Sequence, residues 1–153
     1  MIESAIRWPA EFDPRSAPIH VTNRIELVTP AAVVWARLIR AVNWPDWYAN
    51  SAKVGIEGGG LDLFAGARFT WRTFGVDLVS HVQEFVPGER IAWDARATGV
   101  AAYHAWLITP TADGCQVLTE ETQHGLVARI GRLIFSGRME RWHQRWLEGL
   151  GDA

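Results

Sequence analysis

The feature that most constrains this chain is a regular series of turn-forming residues through its middle. Turns are indicated at Gly58 to Gly60, Gly75, Pro87-Gly88, Gly99, Pro110 and Asp113-Gly114. The segments between them are short and rich in β-branched and aromatic residues. They predict six strands, at about 52–58, 67–75, 76–86, 90–99, 101–110 and 115–124. Because such short connections join neighbouring strands, the sheet is predicted to be antiparallel.

The flanking segments add one strand and the helices. Residues 19–28, IHVTNRIELV, alternate in polarity and predict a strand. Thr29 and Pro30 are typical of a helix start and predict a short helix to about Arg40, followed by a second helical turn around NWPDW. After Gly125 apolar residues recur at helical intervals as far as Leu150, which predicts a long C-terminal helix with arginines on its remaining face.

Length and composition exclude several classes of protein. A chain of 153 residues, 48% hydrophobic and 21% charged, fits one globular domain. Its net charge of -2 argues against a nucleic-acid partner and does not favour acidic membranes. The single cysteine, Cys115, allows no intramolecular disulfide. No apolar run suits a signal peptide or a membrane span, so we expect a cytoplasmic protein without stable membrane insertion.

The N-terminal segment differs from the rest of the chain. Residues 1–18 carry three prolines among charged residues, which predicts an extended arm that lays Trp8 and Phe12 on the surface. Residues 19–150 then form a single domain.

Three sequence phrases carry a family resemblance. TPAAVVWARLIRAVNWPDW, SHVQEFVPGERIAW and YHAWLITPTADGCQVLTEET resemble the bacterial polyketide cyclase/dehydrase-like branch of the START-like and Bet v 1-like superfamily, over about residues 19–150. The resemblance implies an α+β helix-grip fold. In that fold a seven-stranded curved antiparallel sheet wraps around a long C-terminal helix, with two short helices after the first strand. The superfamily includes lipid carriers, hormone receptors, aromatase/cyclases, dioxygenase subunits and co-chaperone modules, so the fold alone does not select a function.

The nine tryptophans suggest an internal cavity. Alternation places Trp71, Trp93 and Trp106 on one face of three strands, and so many indoles are difficult to pack without voids. The alternative is that they simply fill a core. The predicted ligand-binding residues are Trp35, Phe69, Trp71, His81, Trp93, Tyr103, His104, Trp106, Glu121 and Trp142.

His104 and Glu121 are the candidates for chemistry. Both are predicted to face inward, where a histidine or a buried carboxyl can transfer a proton. A hydrogen-bonded core histidine and a glutamate in an ion pair are the alternatives. His20, His124 and His143 are predicted at strand ends or on the helix surface. The histidine spacing indicates no metal site, and no motif indicates a cofactor or a nucleophilic triad.

Three functions remain open at this point. The first is binding of a small hydrophobic or aromatic molecule, similar to a lipid or a polyketide, in a cavity between the sheet and the C-terminal helix. The second is a polyketide cyclase or dehydratase that uses His104 or Glu121 for proton transfer. The third is a protein-interaction or co-chaperone-like module. A homodimer is compatible with all three.

Overall fold

A seven-stranded antiparallel sheet forms the frame of the computed structural model, which describes residues 5–153. The strands are β1 (Ile19–Leu27), β2 (Ala52–Ile56), β3 (Arg68–Thr73), β4 (Val76–Val86), β5 (Arg90–Ala97), β6 (Val100–Pro110) and β7 (Cys115–His124). Their order across the sheet is β1-β7-β6-β5-β4-β3-β2. Strands β2 to β7 therefore form a meander, and β1 closes it by pairing with β7.

The described part of the chain has three α-helices: α1 (Ala31–Ile39), α2 (Trp44–Trp47) and α3 (Leu126–Asp152). Pro30 precedes α1, and Pro45 lies in the first turn of α2, where a missing N–H costs nothing. The C-terminal end of α3 is held by Thr29 Oγ1, which donates to Gly151 O at 3.1 Å, and by Arg37 Nη1, which donates to Leu150 O at 2.8 Å. Within residues 5–153 no helix has the length and apolarity that a membrane crossing requires.

The predicted fold class is confirmed: a curved antiparallel sheet wraps around a long C-terminal helix, with two short helices after the first strand. Strands β4 and β7 have the predicted bounds. Strand β2 is shorter than predicted because residues 57–67 form turns and loop, and β3 is shorter mainly because Phe74 and Gly75 form the turn to β4.

The two faces of the sheet are covered differently. We call the side under α3 the inner face and the opposite side the outer face. The inner face holds the main core, which includes the fully buried rings of Trp44, Trp93, Trp106 and Trp146.

The N-terminal arm packs against the outer face. Phe12 and Ile6 are buried there, and Phe12 stacks on Tyr103 with ring centroids 5.3 Å apart. The expectation that the arm lays Phe12 on the surface is therefore wrong, because the outer face carries an apolar strip that needs cover. Residues 1–4 of the predicted arm lie outside the described residues.

Candidate functional site

A cavity of about 170 Å³ lies between the sheet and the N-terminal half of α3. Its floor is made by the ends of β3 to β7 nearest the β3–β4 turn, and its roof by one side of α3. The lining is mostly apolar: Trp71, Thr73, Phe74, Val76, Leu78, Ala95, Val100, Ala102, Glu121, Gln123, Val127, Phe135, Arg138 and Met139.

The other half of the interior is filled by tryptophans that pack on one another: Trp44, Trp93, Trp106 and Trp146. The Trp146 ring lies 4.9 Å from Trp106 and 5.0 Å from Trp44, centroid to centroid, both edge to face. Trp44, which sequence reasoning did not nominate, comes from α2 and fills the space between Trp71 and Trp93. This part of the interior is a solid aromatic core.

The predicted ligand-binding residues are consequently dispersed. Trp71 and Glu121 line the cavity. Phe69, Trp93, His104 and Trp106 share the inner face but belong to the packed region, and Trp35 and Trp142 lie partly buried at its edge.

Two residues face away from the interior, and their assignment to the ligand site is corrected. Tyr103 points to the outer face, where Phe12 and Trp8 cover it. His81 pairs with Asp94 across the same face, at 3.3 Å from Nδ1 to Oδ1. Alternation is the physical reason, because both residues are out of phase with the inward-facing Trp71, Trp93 and His104.

One wall of the cavity is polar. Glu121 and Gln123 project from β7, and Gln123 Nε2 donates to Glu121 Oε2 at 2.8 Å. Thr73 Oγ1 is buried at the same cavity and has no hydrogen-bond partner among residues 5–153. These groups can orient a polar atom of a bound molecule.

Glu121 also belongs to a buried cluster of three titratable side chains, together with His104 and His143. The Oε1 atom of Glu121 is 3.3 Å from His104 Nδ1 on β6 and 3.9 Å from His143 Nε2 on α3. The two imidazoles stack with centroids 4.6 Å apart and planes 25° apart. His104 is 1% exposed and His143 2%, so both imidazoles are sealed from solvent, whereas Glu121 also borders the cavity.

The hydrogen-bond network assigns the tautomer of His104. Thr119 Oγ1 donates to Ala105 O at 3.0 Å, so it must accept from His104 Nε2 at 2.7 Å. The proton of a neutral His104 therefore resides on Nε2. Its Nδ1 lone pair faces Glu121 and can accept a proton from the carboxyl.

Burial shifts the three groups toward their neutral forms. It raises the pKa of Glu121 to about 7, against the opposing effect of the Gln123 hydrogen bond. It lowers the pKa of His143 to about 4, and burial followed by the proximity of His143 lowers that of His104 well below its ordinary value. Near neutral pH the carboxyl is thus poised between its protonated and ionised forms.

The ligating atoms of this cluster lie within 4.8 Å of one another, which raises the question of a metal. A zinc ion would lie in the plane of each imidazole, about 2.0–2.1 Å from its nitrogen. Two rings stacked nearly parallel have no common in-plane point at that distance. The arrangement therefore fits a proton-sharing cluster and does not fit a metal centre.

The mouth of the cavity is shaped by the turn between β3 and β4. Phe74 and Gly75 both have positive φ, 50° and 72°, and the Phe74 N–H donates to Asn50 Oδ1 at 3.0 Å. A left-handed aromatic residue is unusual and is held here by its surroundings. The turn places the Phe74 ring under the guanidinium of Arg138, 5.5 Å away, so the two side chains flank the opening.

His143 is the group that sequence reasoning missed. It was predicted on the helix surface but is buried against His104. Its spacing from Met139, Trp146 and Leu150 on one helical face is the signal that could have placed it inside.

Comparison with known proteins bears on this geometry. The family described as "Polyketide cyclase / dehydrase and lipid transport" matches residues 18–152, which confirms the resemblance drawn from the sequence phrases. No curated protein matches the chain significantly.

Solved structures share the fold. Hypothetical protein jhp0584 from Helicobacter pylori is 29% identical with a TM-score of 0.90, and the match covers 99% of this chain and 97% of that one. The Zhui aromatase/cyclase from Streptomyces sp. R1128 is 19% identical with a TM-score of 0.69, over 87% and 91% of the two chains. The di-domain ARO/CYC StfQ from the steffimycin biosynthetic pathway is 13% identical with a TM-score of 0.73, over 88% of this chain and 49% of StfQ.

Proposed function

This chain belongs to the polyketide cyclase/dehydrase and lipid transport family, and from that premise we propose that it binds a small, largely apolar molecule with one polar end. The observation that carries the proposal is the cavity under the N-terminal half of α3, apolar on most sides and polar at Glu121 and Gln123.

The size of the cavity limits the ligand. A cavity of about 150 Å³ accommodates benzene, so 170 Å³ suits one aromatic ring or a short aliphatic chain. A fused-ring polyketide would need the roof to move outward. No other element of residues 5–153 covers the outer side of this roof at Ile130, Leu133 and Ile134, which are exposed.

The polar wall defines which functional group the ligand carries. With its pKa at about 7, Glu121 at neutral pH is partly protonated and can donate to a carbonyl or accept from a hydroxyl. A hydroxyl also suits Thr73 Oγ1, which has no partner in the described part of the chain. We therefore favour phenols, alcohols and ketones over permanently charged ligands.

The binding test uses p-cresol and toluene, which differ by one hydroxyl. Both should change the tryptophan fluorescence saturably because Trp71 lines the cavity, with p-cresol tighter by roughly fivefold through one net hydrogen bond. Ala102→Leu places a large side chain in the cavity and should abolish both signals. The control is Thr109→Leu, which places the same leucine side chain at an exposed position on β6. Equal binding by both variants would disprove the site.

A second function is supported by the buried cluster. Glu121 can pass a proton to His104 Nδ1, and Thr119 fixes the tautomer that leaves this nitrogen free. Such a pair can act as general acid and base in a cyclisation or dehydration of a polyketide-like ketone. Two structures similar in fold are named aromatase/cyclases, although their identities of 19% and 13% carry the fold alone.

Turnover distinguishes this second function from binding. With a linear poly-β-ketone as substrate, Glu121→Gln and His104→Gln should lower the rate by roughly 10²- to 10⁴-fold while p-cresol still binds. A matched change outside the cluster, Gln116→Ala at the far end of β7, should leave the rate unaltered. Full activity in Glu121→Gln would eliminate the catalytic proposal and leave binding intact.

A further inference from the structure

The N-terminal half of α3 carries an exposed apolar stripe, which we define as Leu126, Val127, Ile130, Leu133 and Ile134. Leu133 is 89% exposed and Ile130 75%, although a helix on a globular domain normally turns charged residues outward. Contiguous exposed apolar surface of this kind marks an interaction site.

The stripe has positive charge at its borders. On a helical projection it spans an arc of roughly 120°, with Arg129 next to one edge and Arg138 next to the other. Arg132 lies beyond Arg129 on the same side. Residues 126–139 contain no acidic side chain. The net charge of -2 for the whole chain conceals this local excess of three arginines.

The arginines are available to an external partner. Arg129 and Arg132 are exposed, and within residues 5–153 neither forms an ion pair. A second copy of the chain is disfavoured as that partner, because a two-fold contact over the stripe would bring arginines of like charge together. An apolar stripe bordered by arginines instead matches an interface of acyl chains beneath anionic headgroups.

The stripe lies directly over the cavity. Val127 and Phe135 line the cavity from the same turns of α3, and Arg138 stands at its mouth. A molecule that leaves through this roof would emerge beside the stripe.

We propose that residues 126–138 dock peripherally on an anionic lipid bilayer, with the apolar stripe in the headgroup region and Arg129, Arg132 and Arg138 on lipid phosphates. The docking proposal depends only on the exposed surface of α3. Direct exchange of an apolar ligand with the bilayer, its functional consequence, rests on the proposed function.

Co-sedimentation of the full chain with vesicles tests the docking. Vesicles of equal parts phosphatidylcholine and phosphatidylglycerol should bind the protein, whereas pure phosphatidylcholine should not, and high salt should weaken the binding. Arg129→Gln with Arg132→Gln should lower affinity on the order of 30-fold. The control is Arg24→Gln with Arg68→Gln, which removes two exposed arginines from the sheet and should leave affinity unchanged.

The apolar contribution is tested by Ile130→Ser, Leu133→Ser and Ile134→Ser together. These side chains are exposed, so circular dichroism should be unaltered while vesicle binding is lost. Absence of vesicle binding by the wild type, or retention of binding by the triple variant, would overturn the proposal. So would a dimer at sedimentation equilibrium that the triple variant abolishes. Vesicle binding without p-cresol binding would refute only the ligand-binding function, and the reverse only the docking.

Discussion

The two halves of α3 cover the same sheet but differ in how tightly they pack against it. The C-terminal half presents His143, Trp146, Leu147 and Leu150 to the sheet, and these large side chains fill the space beneath them. The N-terminal half buries only Ala128 and Gly131, so a cavity remains. The size of the helix residues, and not the curvature of the sheet alone, decides which part of the interior is core and which is binding site.

The polar cluster lies where these halves meet. His143 belongs to the packed half, whereas Glu121 reaches the cavity with its second oxygen. The indole N–H groups of Trp93, Trp106 and Trp146 have no hydrogen-bond partner among residues 5–153, so ring contacts alone support their burial. Burial of the carboxyl beside such an apolar region is what raises the pKa of Glu121.

The largest effect is expected from truncation in the packed half. Trp146→Ala should lower the free energy of unfolding by about 4 kcal/mol, because its ring contacts Trp44, Trp71, Trp93 and Trp106 and no neighbour can fill the void. Phe135→Ala, on the roof of the cavity, should cost about 1 kcal/mol, since its ring is 38% exposed. Urea denaturation measures both values. Equal losses would show that the two halves are packed alike.

The pH dependence of stability tests the buried cluster of Glu121, His104 and His143. The pKa of Glu121 rises on folding from 4.5 to about 7. Its contribution to the free energy of unfolding is therefore fully present below pH 4.5 and is lost as pH rises to 7. Glu121→Gln should remove this decline, a gain of about 3 kcal/mol relative to the wild type across that interval. His104 from β6 and His143 from α3 lie against the carboxyl, which also interacts electrostatically with the buried Tyr48.

His143→Gln provides a control of opposite sign. Folding lowers its pKa from 6.5 to about 4, so its contribution is present above pH 6.5 and is lost as pH falls to 4. Relative to the wild type, this variant should gain stability toward acid. Denaturation midpoints measured at several pH values report both slopes, and parallel profiles for all three proteins would contradict the assignment.

Much of the fold could be predicted because its signals are local. Pro87-Gly88 and Asp113-Gly114 predict turns whatever the arrangement of the strands. The alternation of side chains along a strand predicted that Trp93 and His104 face the same side of the sheet. The long helix followed from apolar spacing after Gly125.

The candidate site could not be located in this way, because it depends on which helix residue meets which part of the sheet. Periodicity fixes a face but not a position along the strand. Trp71, Trp93 and Trp106 were therefore expected around one cavity, whereas Trp71 lines it and Trp93 and Trp106 belong to the packed core. Trp44 fills the centre from α2, a contact between residues distant in sequence. The cluster of His104, Glu121 and His143 combines residues from three elements, and no spacing motif in the sequence predicts this contact.

A smaller difference in stability is expected when a larger side chain is introduced under each half of α3. Ala67 belongs to the aromatic core and is fully buried, so Ala67→Leu should cost about 1–3 kcal/mol of unfolding free energy. Ala102 borders the cavity, and Ala102→Leu should remain within about 0.5 kcal/mol of the wild type because the new side chain enters existing space. Thermal unfolding compares the pair. A large loss in the Ala102 variant would mean that the cavity is not available to an added side chain.

The smallest effect concerns two glycines within α3. Gly137 has open space around it, with Arg141 Nη1 3.6 Å from the position of an added Cβ, so Gly137→Ala should stabilise the protein by about 0.5–1 kcal/mol through helix propensity. At Gly131 the added Cβ would overlap the Phe135 ring. Gly131→Ala should therefore forgo that gain and push the ring away from the cavity roof, which accelerates p-cresol dissociation in stopped-flow fluorescence. Equal stabilisation by both alanines, with unchanged ligand kinetics, would show that Gly131 does not position Phe135 over the cavity.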